Sequence, residues 1–184
     1  MLSLNNLKTN VKLITSFVLI ALITSIVGAV GIYYLQQIDK KDTELYKNHT
    51  VPISQLAKVI ESFQRTRVDV RDILLATSPS EIKLITDSVN NQADIIDKTS
   101  AEFQKLIIST EMQALYDDFI KDYKNFSAYR DQIISLAQAG NKTDAVAILN
   151  GTALAQAKLV EADIDAMLQL KEAQAKLLSD QNTL

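Results

Sequence analysis

The chain has 184 residues, a formal net charge of −3 and a hydrophobic fraction of 47%. It contains no cysteine, which excludes disulfides, thiolate metal sites and covalent haem attachment together. All 22 acids and 17 of the 19 bases follow Ile38, so that portion carries a net −5 and offers a poor surface to nucleic acid.

Residues 13–35 form an uncharged and mostly apolar stretch, preceded by Lys8 and Lys12. As a helix, such a stretch reaches ~35 Å, enough to cross a hydrocarbon core of ~30 Å with some tilt. The spacing predicts a transmembrane helix over 13–35 with a short cytoplasmic tail, 1–12, because the basic flank stays inside. Everything after the span is then periplasmic or extracellular, and the localisation expected is the bacterial inner membrane, crossed once. A cleaved signal peptide is the alternative, with Val27-Gly28-Ala29 as its small-residue site, but the apolar run is long for one and continues beyond it.

The remaining stretch, 36–184, holds only two glycines and two prolines, few places to turn a strand, so helices dominate. Ser78-Pro79-Ser80-Glu81 offers an N-cap hydroxyl, a proline at the first helical position and a glutamate three residues on. Thr110 with Gln113 makes a similar box. Gly140-Asn141 supplies a helix-terminating glycine and a capping asparagine. These three boundaries divide the stretch into four helices. Seam residues recur at alternating steps of three and four: Leu45, His49, Pro52, Leu56, Val59, Phe63, Thr66, Val70, Ile73 and Thr77 in the first helix, then Ile82, Ile85, Val89, Gln92, Ile96, Thr99, Phe103 and Leu106 in the second. The third follows Met112, Leu115, Phe119, Tyr123, Phe126, Tyr129 and Ile133. For the fourth, the spacing predicts a seam through Ala145, Ile148, Thr152, Ala155, Leu159, Ala162, Ala166 and Leu170. The fold class expected is all-α: an antiparallel up-down-up-down four-helix bundle preceded by one transmembrane helix. Helices one and four, the longest, should reach the membrane, and the stop at Leu184 suggests a chain cut short before a second transmembrane helix.

The anchor with Leu35-Gln36-Gln37-Ile38, then 45–53 (LYKNHTVPI), 71–77 (RDILLAT), Leu115-Tyr116-Asp117-Asp118-Phe119 and the Ala-rich fourth helix, taken in order, resemble the sensor region of methyl-accepting chemotaxis proteins. The resemblance spans nearly the whole chain. It implies a homodimeric periplasmic sensor whose ligand state passes through the membrane to a cytoplasmic output lying outside this sequence. The same type of module is also carried by histidine kinases and cyclases, and a ligand-free dimerisation or scaffold module is a further reading.

Arg65, Arg67 and Arg71 cluster near the membrane-distal end of helix one. Helical projection places Arg65 with Glu61, Asp69 and Asp72 on the outer face, as a solvated ion-pair residue, whereas Arg67 and Arg71 flank the apolar seam. There a guanidinium either covers the core edge or meets a carboxylate. Helix four starts at the same end, so Thr152 and Gln156 are the candidates for a hydroxyl and an amide facing those arginines. The ligand-binding residues expected are therefore Arg67, Arg71, Thr152 and Gln156, and the partner expected is a small molecule, with a carboxylate favoured. Dimerisation through helix one is expected from Ile53, Ile60 and Leu74, which extend its apolar stripe. His49, the lone histidine, reads as packed rather than metal-bound. No nucleophile comes with a His partner and no Gly-rich phosphate loop occurs, so neither catalytic residues, cofactor nor metal is expected.

Overall fold

The computed structural model describes residues 8–181; the expectations concerning the first seven residues and the stop at Leu184 lie outside the described residues. The chain forms two compact units, 1–44 and 45–184. The first is the helix α1 (Thr9–Leu45). None of its residues is buried, although an 18-residue window in this N-terminal region has a mean hydropathy of 2.5. It is long and apolar enough to cross a membrane. The hydroxyls of Thr15, Ser16, Thr24 and Ser25 are satisfied within the helix: Thr15 Oγ1 donates to Val11 O at 2.7 Å and Ser25 Oγ to Ala21 O at 2.7 Å. Such bonding removes their need for water.

The second unit comprises α2 (Val51–Leu75), α3 (Pro79–Gln104), α4 (Thr110–Gln138), α5 (Lys142–Ile148) and α6 (Leu154–Gln181). A π-helical turn, Tyr46–Thr50, precedes α2, and another, Leu149–Ala153, joins α5 to α6. Together α5, this turn and α6 make the fourth helix of the bundle. No strand occurs among the described residues. The most extensive helix pairs are α2 with α3 and α4 with α6, while α2 also meets α6 and α3 meets α4. This is the expected all-α four-helix bundle.

Local chemistry sets the boundaries. Ser78 accepts from Glu81 N at 3.2 Å, and the Glu81 carboxylate reaches back to Thr77 N at 2.8 Å, so orphan amides are satisfied in both directions. The second cap falls on Ser109, whose hydroxyl accepts from Met112 N, one residue before the expected Thr110. Gly140 adopts φ +78°, and Asn141 N then reaches Leu136 O at 2.9 Å, the closing bond of a Schellman motif. Lys142 Nζ pins the two distal connections together through Ala76 O at 2.7 Å.

Buried residues follow the expected seams in α2, α3 and most of α4. They form two core layers. One contains Phe63, Phe103, Phe119, Tyr123 and Phe126, with Phe63 and Phe126 edge-to-face at 4.9 Å. The other contains Val70, Ile73, Val89, Ile133 and Ala145.

The fourth helix departs from expectation. Its core residues beyond Ala145 are Ala153, Ala157, Val160, Ile164, Met167 and Lys171, whereas Thr152, Ala155, Leu159 and Ala162 are exposed. A π turn holds one more residue than an α turn, so the Leu149–Ala153 segment moves the inward phase by one position, from 152 to 153. The stripe expected to support dimerisation is also used internally: Leu74 lies in the core and Ile60 packs against it. The apolar residues that α2 leaves exposed are Val68 and Leu75.

Candidate functional site

Where the two core layers meet, the π turn opens a cavity of about 60 Å³. Arg67, Val70 and Arg71 line it from α2, Phe126, Arg130 and Ile133 from α4, and Leu149, Asn150, Ala153, Leu154 and Ala157 from the fourth helix. Three arginines and one asparagine thus line the space among apolar residues, and no Asp or Glu lines it. The volume suits a few waters or one small anion. Widened helical turns commonly accompany such sites, because they displace backbone and side chains from the regular ladder.

Arg130 is the residue that the seam analysis missed. It is only 8% exposed, its Nε donates to Asp131 Oδ1 at 2.8 Å, and its Nη1 is buried without a hydrogen-bond partner. Its position was legible, since 126, 130 and 133 continue the alternation of four and three, but an arginine does not register in an apolar count. Its charge reaches across the bundle. Asp97 in α3 is pushed up from the usual carboxylate range by burial, and Arg130 opposes that rise.

The expected site residues fare differently. Arg67 and Arg71 both line the cavity. Arg65 pairs with Glu61 at 2.9 Å on the open surface, both side chains being more than 60% exposed. Thr152 is exposed, and the Gln156 amide donates to Asp122 O at 3.2 Å; neither lines the cavity. The one-residue phase shift of the π turn explains this, bringing Ala153 and Ala157 inward instead.

Arg67 has a further partner. Its Nη1 donates to the Glu161 carboxylate of α6 and to Gln64 Oε1 at 3.1 Å, and Gln64 Nε2 donates to the same Glu161 oxygen. This triad ties α2 to α6 beside the cavity.

Residues 6–183 match the family described as a four helix bundle sensory module for signal transduction. The chain belongs to that family. No curated protein matches it. The match covers both the apolar helix α1 and the whole bundle, so the cavity lies in a sensory module rather than in a catalytic domain. Among the described residues, no group of three or more His, Cys, Asp or Glu side chains is arranged to hold a metal ion.

Proposed function

We propose that this sensory module is the extracytoplasmic part of a bacterial chemoreceptor that binds a small anion in the cavity between α2, α4 and the π turn. One observation carries the reading: Arg67, Arg71 and Arg130 converge on a single space whose walls contain no acid. Arg71 is exposed and makes no side-chain hydrogen bond or ion pair among the described residues, whereas Arg130 Nη1 is buried and unpartnered. A buried donor without a partner costs stability, and an anion in the cavity supplies one to Arg130 while pairing with Arg71. The uncharged span 13–35 with Lys8 and Lys12 before it supports an inner-membrane anchor, with the bundle on the far side.

In this reading the ligand acts on the fourth helix, because the π turn that lines the cavity leads directly into α6. A small displacement of α6 is the signal passed to the membrane. Two copies pair through the outer face of α2, where Val68 and Leu75 are exposed. A thermal-shift screen of the full chain in detergent micelles against small carboxylates and inorganic oxyanions tests the reading. A saturating ligand raises the midpoint by the linkage relation, and the rise disappears in Arg130→Met. No shift with any anion refutes it.

A further inference from the structure

Arg67 faces the cavity, yet a carboxylate of the protein already holds it. Glu161 accepts from Arg67 Nη1 and from Gln64 Nε2 with the same oxygen, so it occupies the place an anionic ligand would take on that guanidinium. The neighbouring acid differs: Asp131 bonds Arg130 through adjacent residues of one helix, so its release would change no contact between helices. Glu161 bonds across two helices separated by 94 positions in sequence. Its side chain is 28% exposed, so a displaced carboxylate can regain water at modest cost, which Arg130 at 10% side-chain exposure cannot do.

We propose that Glu161 is a built-in competitor of the ligand, an inference that rests on the anion-binding reading above. In the empty site it neutralises Arg67 and ties α6 to α2. An anion seated on Arg71 and Arg130 captures Arg67, the Glu161 carboxylate turns to solvent, and α6 loses its tie to α2. Exchange of one charge-assisted pair for another is nearly balanced. The switch is therefore set by the difference between ligand and Glu161 on one guanidinium. The resting affinity is lowered by the same competition.

The experiment uses the full chain in detergent micelles and inorganic phosphate as probe, titrated by calorimetry. Because the chain has no cysteine, a spin-label pair introduced at the exposed positions Lys58 of α2 and Lys158 of α6 reports the spacing of these helices. Glu161→Gln should bind phosphate roughly tenfold tighter than the unaltered chain. It should also show, without phosphate, the label distance that the unaltered chain reaches only when saturated. Arg71→Ala in either background should abolish the binding. Glu161→Ala checks that the gain comes from losing the charge, and circular dichroism checks that each variant stays helical. Phosphate bound equally by the unaltered chain and Glu161→Gln overturns the competition while leaving the anion site standing. Binding that survives Arg71→Ala overturns both, as does phosphate bound by no variant when the small carboxylates of the thermal-shift screen are likewise unbound.

Discussion

Lys171 Nζ in α6 donates to the main-chain carbonyl of Asn48, 3.2 Å away in the π turn ahead of α2. The cause lies four residues further on: Pro52 has no N–H, so the regular helical partner of Asn48 O does not exist. Asn48 is half-buried, and Lys171, 1% exposed, supplies this oxygen with a donor from across the bundle. Burial in turn pushes the Lys171 ammonium below the usual lysine range.

Pro52→Ala restores the missing amide, so the need for Lys171 should fall. Lys171→Met in the parent chain should destabilise the bundle by about 1–3 kcal/mol, because the donor that reaches Asn48 O across the bundle is lost. In the Pro52→Ala background the same change should cost clearly less. A double-mutant cycle from urea unfolding measures the coupling, and strict additivity would separate the two residues.

Asp163 in α6 titrates at about 6, raised first by burial and then by Asp122 and Asp118, with Lys121 opposing. Its Oδ2 is buried and makes no hydrogen bond. A carboxyl whose folded pKa lies above the unfolded value binds more protons when folded between about pH 4 and 6. Stability contributed by this group is thus fully present below that window and lost as pH rises through it. Asp163→Asn should stabilise the bundle at pH 7 by about 1 kcal/mol, discounted for solvent screening, with little gain at pH 4. Thermal midpoints across pH 4–8 read the difference directly.

Gly140 at φ +78° has open space around an added Cβ, so Ala there meets conformational strain without a clash. Gly140→Ala should cost about 1–2 kcal/mol. Gly151, also unobstructed but without positive φ, should tolerate Ala with no loss. Chemical denaturation of the two variants gives the comparison.

Ala157 lines the cavity and is 2% exposed. Ala157→Val places two methyl groups in or beside the empty space. The change should shift stability by less than about 1.5 kcal/mol, since filling and β-branching oppose each other. Binding of any anion in the cavity should fall at least tenfold. Calorimetry and urea unfolding on the same preparation separate the two effects.

Signals that act within one helical turn determined what the sequence could settle by itself. The hydroxyl of Ser78, the Gly140-Asn141 pair and the uncharged run of α1 fix helix ends and a membrane-length segment from neighbouring residues alone, and the cap on Ser109 lies one residue from the expected Thr110. The seams of α2 and α3 were equally legible, because no irregular turn interrupts either helix. Tertiary structure decided the rest. The phase of α6 depends on one extra residue in a π turn, which no apolar count detects, and it exchanges Thr152 for Ala153. Arg130 and Lys171 are charged residues at core positions, tolerated where a bundle partner or an internal space accommodates their donors. The pairs Arg67–Glu161 and Lys171–Asn48 join residues 94 and 123 positions apart. Their existence follows from what one helix leaves unsatisfied and another can supply, a relation that arises only once the helices are packed.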